Sequence, residues 1–535
     1  MGKKLRFYYH FLIVIVTKKY RQVFLLLAGL GLITLLGFYV VPDAFHRLYD
    51  GVSNNIRKPK YIEGIVGSVQ TLNPVYTKTL AEKEISSLVF RSLMRVSEDG
   101  TLSPDIAESY TRRGETEYIF KLKDNLFWQD GAPITADDVV YTVELTQKAS
   151  PGSDLAPNFK DVLTTKIDDL TVSFKLSEPY SPFPLNTAIK IVPKHIPLAA
   201  YRPIGSSDFA VKSISDDKIV LESSFANLTF RLYKKADDAL LALKLGEVDS
   251  LGGLGFSQVN EMRFWQNLNI YSLDMSQRQI MLFFNLKDKT LSEREIRRAL
   301  SLSVAKKLIT QVLPGFNPHI ANSSYPLNSW ANDSNFQTEG NGREEAEKIL
   351  DSIGWKKKGN IRTKGNESLK LKITISDGEE FHSLAKILET SWKALGANVA
   401  IFPVSALEMR ERVIPERDFQ ALLTTQEIGA DPDQYSLWHS SQIHEANVSS
   451  LSSAKIDKIL EDARRSSDLK FRREKYFLFA RLLADETPAI FLYYPKYFWV
   501  VNKRVENIKP KGLLNTWNRF DDIKGWKLNQ NFKFW

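Results

Sequence analysis

Leu126-Phe127-Trp128-Gln129-Asp130-Gly131-Ala132-Pro133-Ile134-Thr135-Ala136-Asp137-Asp138-Val139-Val140-Tyr141 carries the densest local instructions in this 535-residue chain. Asp130-Gly131 is a turn signal. Thr135 and Asp138 stand at capping-box spacing, so a helix starts at Ala136 and runs through Val139, Val140 and Val143. The acidic pair Asp137-Asp138 suits the positive end of that helix, so it reads as structure rather than as a pair of catalytic acids.

Outward from this stretch, strand and helix patterns mix. Tyr118, Phe120 and Leu122 fall at alternate positions and share one face, as do Val172 and Phe174 within Leu170–Leu176, which predicts strands. Ile296, Ala299, Leu300, Val304 and Leu308 make one helical stripe, and Ile456, Ile459, Leu460 and Ala463 another. The class is therefore α/β or α+β with several sheets. A chain of this length exceeds what one core usually holds, which predicts more than one lobe.

The net charge is +9. Residues 1–60 hold ten Lys/Arg and two Asp/Glu, leaving 62 and 61 for the rest, so the body is nearly neutral. A neutral body argues against nucleic-acid binding. There is no cysteine, which excludes disulfides, thiol catalysis, cysteine-bound zinc and a lipidated N-terminal Cys.

Val23 to Val41 is 19 residues without charge, preceded by Lys3, Lys4, Arg6, Lys18, Lys19 and Arg21. That length spans a bilayer, and the flanking charge places the N-terminus in the cytoplasm. The run exceeds a signal-peptide core and lacks a small-residue cleavage site, so it reads as an uncleaved anchor. The expected organisation is a basic cytoplasmic or interfacial segment (1–22), a transmembrane helix (23–41) and a polar tether (42–60), then the extracytoplasmic body.

Several pieces of the body, in order, resemble the extracellular solute-binding proteins of family 5, which bind oligopeptides, dipeptides or nickel. They are Thr71-Leu72-Asn73-Pro74, Leu88 to Leu93, Asp99-Gly100 through Ser109, the stretch from Leu126 to Tyr141, Val192-Pro193-Lys194-His195, Leu282 to Leu286, Asp431-Pro432-Asp433, Trp438 to Gln442, and Ala489 to Tyr493. The resemblance implies a two-lobed periplasmic-binding-protein type II fold with an extra subdomain, behind one N-terminal transmembrane helix. It sets lobe I at 61–278, lobe II at 279–495, and the return to lobe I and tail at 496–535. It implies a monomeric substrate-binding component of an ABC importer, without enzymatic activity or cofactor, that closes on a peptide-like solute and serves permease subunits. A receptor or chaperone-like role on the same fold, or a non-peptide solute such as a nickel chelate or an oligosaccharide, is the alternative.

The expected ligand residues surround the cleft loop: Trp438, Tyr435, Asp431, Asp433, Gln426 and Glu427, with Asn73 and Asn285 at strand ends. Aromatic side chains would flank the ligand, and carboxylates would pair with an amine. On this reading truncating Trp438 weakens binding and spares the fold. Two departures stand out. Peptide binders of the family place an Asp three residues before the Asp-Pro pair, where this chain has Ile428. Gly205-Ser206-Ser207-Asp208-Phe209 lacks the family's second Gly and Pro.

Other motifs read as structure. Ser303-Val304-Ala305-Lys306 has S-x-x-K spacing but no S-D-N or K-T-G partner. His439, His444 and Glu445 lack the further ligands of a metal site. His195 follows a proline in a turn.

Overall fold

The computed structural model describes residues 58–97, 100–149, 152–197, 202–312, 317–332 and 342–529. The expected helix at 23–41 lies outside them. Among the described residues no helix is long and apolar enough to cross a membrane.

The first lobe is built on a seven-stranded sheet. Ser250–Gly252 pairs in parallel with Lys60–Val66 and antiparallel with Lys496–Asn502, which also pairs with Leu268–Asp274. A four-stranded antiparallel sheet forms a subdomain, ordered Ala107–Arg113, Glu117–Leu122, Thr171–Lys175 and Leu163–Asp168. Tyr118, Phe120 and Leu122 are buried there together, and Phe120 meets Phe174 edge to face.

The stretch from Leu126 to Tyr141 closes this subdomain. Gly131 holds φ at 89°, the left-handed value its turn requires. Buried Asp138 then does three jobs. It accepts from the Thr135 backbone N–H at 2.9 Å, the Lys194 N–H at 2.8 Å and the Trp128 indole at 3.3 Å. The helix Ala136–Lys148 follows.

The second lobe is built on a six-stranded sheet around Arg278–Phe284. That strand lies antiparallel between Ala421–Glu427 and Ala489–Tyr494. Lys370–Ser376 and Asn398–Val404 add a parallel pair, joined through the helix Glu379–Ala394. Side chains alternate across the central strand. Ile280, Leu282 and Phe284 enter one core with Leu300, Leu388 and Trp392. Met281 and Phe283 enter the opposite core with Trp438, Leu460 and Phe479. A strand covered on both faces needs the unbroken apolar run IMLFF seen here.

One helix differs from its sequence pattern. The stripe from Ile296 to Leu308 is not continuous, because a helix ends at Leu302 and another starts at Lys307. The break rotates the register, so Ile309 is buried and Leu308 is exposed. Ser303 donates its hydroxyl to the Leu300 carbonyl at 2.8 Å, the ordinary satisfaction of a helix-end serine.

Candidate functional site

The chain passes from the seven-stranded to the six-stranded sheet between Asp274 and Arg278, and returns between Tyr494 and Lys496. Beside these crossings lies a cavity of about 1240 Å³. Its first-lobe wall includes Ser92, Arg95, Tyr180 and Lys190, and its second-lobe wall includes Ile428, Asp431, Asp433 and Leu437. A third side comes from Lys509 to Asp522, which the sequence reading treats only as a returning tail.

The lobes touch across this cavity. The Ser181 N–H donates to the Arg464 carbonyl at 2.8 Å, and Arg465 pairs with Glu178 at 3.6 Å. Gly100 has φ of +81°, and a Cβ there would meet the Ala430 carbonyl oxygen of the other lobe at 3.0 Å. Only glycine allows that backbone and that approach together.

The second-lobe wall carries carboxylates that are already matched. Arg472 meets Asp431 at 2.6 Å, and Arg464 meets Asp433 at 3.3 Å. Burial pushes both carboxyls up from the usual range, and the two arginines oppose that shift. Each carboxylate also accepts a backbone N–H two residues on, at 2.9 Å from Asp433 and 3.2 Å from Tyr435. Glu427 is exposed and takes Arg278 at 2.5 Å. Arg464 and Arg472 come from the helices Ala454–Arg465 and Leu469–Glu486, so they brace the loop from behind.

The C-terminal side is fixed by one buried guanidinium. Arg519 donates to Glu84 twice at 2.8 Å and to Glu63 at 2.9 Å. Two carboxylates share this single cation. Burial pushes the Glu63 carboxyl up to about 7, against the pull of Arg519, and the Tyr61 hydroxyl donates to it at 2.9 Å.

The first-lobe wall has a different balance. Asp105 receives both Arg91 at 2.7 Å and Arg95 at 3.1 Å. Burial pushes the Lys190 ammonium down to about 8. Its hydrogen bond is to the Ser87 carbonyl at 3.4 Å.

Of the residues expected at the ligand, Asp431, Asp433 and Glu427 line the cavity together. The others stand elsewhere. Trp438 is fully buried, packed on Phe283 and Phe491, with its indole donating to Gln434 at 3.3 Å. The short helix Tyr435–Trp438 turns it inward, so it belongs to the core behind the wall and its truncation is a stability question. Tyr435 is sandwiched between His439, at 4.0 Å ring to ring, and the Arg464 guanidinium at 3.9 Å. Gln426 sits on the sheet opposite Gln279 and donates to the Glu427 carbonyl at 2.9 Å. Asn285 is buried and donates to the Phe419 carbonyl at 2.9 Å, a turn-holding role. Asn73 accepts from Val75 at 3.1 Å and borders a separate cavity of about 340 Å³. His439 accepts from the Ser441 backbone N–H at 3.1 Å through Nδ1, as the cap of a short helix.

A two-lobed α/β body with two strand crossings and a large cavity between the lobes is the architecture of a solute-binding protein. The sequence profile described as bacterial extracellular solute-binding proteins, family 5 middle, matches residues 101–445, and the chain belongs to that family. The oligopeptide-binding protein AppA of Bacillus subtilis is 24% identical over 481 residues, covering 84% of this chain and 88% of AppA. AppA solved in complex with a nonapeptide shares 23% identity at a TM-score of 0.68, covering 88% of this chain and all of that one. NikZ from Campylobacter jejuni, solved in complex with Ni(L-His), shares 25% identity at a TM-score of 0.73 with the same coverage.

Proposed function

We propose that this protein is the membrane-anchored, extracytoplasmic substrate-binding component of an ABC importer, and that it takes peptide-like solutes into the cavity between its lobes. The observation that carries this reading is the cavity itself. Its volume of about 1240 Å³ exceeds the roughly 300–1,000 Å³ of small-molecule pockets. Its walls are polar, and the carboxylates of the second lobe are matched before any ligand arrives, which suits recognition through backbone groups and water over a varied side-chain set. The likeness to an oligopeptide-binding protein solved with a nonapeptide supports the same solute class.

The anchor is the segment Val23–Val41, and the tether that follows keeps a monomeric body near its permease. The protein acts by binding and release, not by chemistry. The S-x-x-K serine is consistent with this, since its hydroxyl is spent on Leu300. A metal chelate is the second reading, favoured by the likeness to a protein solved with Ni(L-His).

Isothermal titration of the full-length protein in detergent tests the proposal. A mixed pool of three- to nine-residue peptides should give saturable heat. Saturable heat with nickel–histidine and none with peptides would replace it by the second reading.

A further inference from the structure

The charges around the cavity do not cancel in the same way on its two sides. On the second lobe, Asp431, Asp433 and Glu427 each have an arginine within 3.3 Å. A ligand ammonium arriving there would have to share its carboxylate with a guanidinium already in place. The first-lobe side offers the opposite. Lys190 lines the cavity, and among the described residues it has no carboxylate within 4 Å and one long hydrogen bond, to the Ser87 carbonyl. An ammonium has three donors, so at least two remain for a ligand. Asp105, the carboxylate whose field reaches Lys190, is spent on Arg91, Arg95 and the Ser92 backbone N–H. The other carboxylate facing this region, Asp521, is held by the Asn518 amide at 3.0 Å and is itself pushed up by burial. Lys509 and Lys511 add two exposed cations at the rim.

We infer that Lys190 is a specificity-determining residue of the cleft, and that it selects ligands presenting an anionic group, a carboxylate or a similar oxyanion, over ligands whose only charge is an ammonium. This deepens the proposed binding function and rests on it for the place of the ligand, though not for the ligand's being a peptide. The burial that depresses the Lys190 ammonium makes a partner anion more valuable there than at the surface, because the pair forms in a medium that screens it weakly. The bland alternative is a lysine that only spans the wall, and it predicts no dependence of ligand choice on charge at residue 190.

The test uses the full-length protein in detergent and three probes. One is a pool of N-acetylated hexapeptides with free C-terminal carboxylates. The second has the same sequences with free N-termini and C-terminal amides. The third is succinate. The first pool should bind at least about tenfold tighter than the second, the step expected for a hydrogen bond to a charged group. Lys190→Met should abolish that preference without weakening the amide pool, and Lys190→Arg should retain it. Thermal melts of both variants separate lost binding from lost folding.

If neither pool binds but succinate does, and Lys190→Met loses it, the inference stands and the peptide reading falls. A wild type that prefers the amide pool, a Lys190→Met variant that keeps the acid preference, or a protein that binds none of the three probes overturns the inference.

Discussion

The two walls of the cleft solve the problem of buried charge in opposite ways. The second-lobe wall brings Asp431 and Asp433 to the cavity and cancels each with an arginine from the helices behind it. The first-lobe wall brings a lysine and leaves it with one long hydrogen bond to a carbonyl. A buried, matched pair is a structural commitment, since removing one partner strands the other. A half-buried group with unused donors has capacity for a ligand. The acidic residues most conspicuous in the sequence therefore build the wall, and an inconspicuous lysine faces the cavity.

The sharpest way to break this comparison is to remove the brace. Arg472→Met leaves Asp431 buried without its cation and should cost about 3–5 kcal/mol in urea unfolding. Adding Asp431→Asn should recover part of that loss. If Arg472→Met changes ligand affinity alone, the wall is not structural. Trp438→Ala should cost a similar amount, about 3–5 kcal/mol, because it empties core behind the same wall. A melt within a degree of wild type would return Trp438 to the ligand.

The C-terminal side gives a pH dependence. Glu63 titrates near 7 when folded and near 4.5 in its ordinary state, so between these values the folded protein holds the extra proton. Stability should fall as pH rises through that window, and Glu63→Gln should flatten the fall. A wild-type stability that rises from pH 4.5 to 7 while Glu63→Gln stays flat would contradict the assignment. The smallest effect belongs to Glu178→Ala, which removes an exposed pair across the lobes and should cost at most about 0.5 kcal/mol. A larger loss in melting would make that contact a true latch.

Local signals in the sequence were good guides to local structure. The turn at Gly131 and the helix from Ala136 follow from residues within a few positions of one another. The face shared by Tyr118, Phe120 and Leu122 follows from alternation. The helix from Ala454 buries Ile456, Ile459, Leu460 and Ala463 together, as its stripe predicts. The cleft was less legible, because its partners lie far apart in the chain. Nothing near Asp431 or Asp433 announces Arg472 or Arg464, and nothing near Glu63 announces Arg519, 456 positions away. Trp438 misled for a related reason. An aromatic next to acidic loop residues reads as a ligand contact, and only the tertiary fold shows it turned toward Phe283 and Phe491. Lys190 carried no local signal, since its character depends on which carboxylates other residues have already taken.

The proposed function turns on capture of peptide-like solutes between the lobes. Native mass spectrometry of the full-length protein, released from detergent micelles without prior denaturation, tests it most directly. The expected result is a ladder of bound masses that fragment as short peptides. A single non-peptide mass, or an empty protein that takes up nothing from a mixed peptide pool, would contradict it.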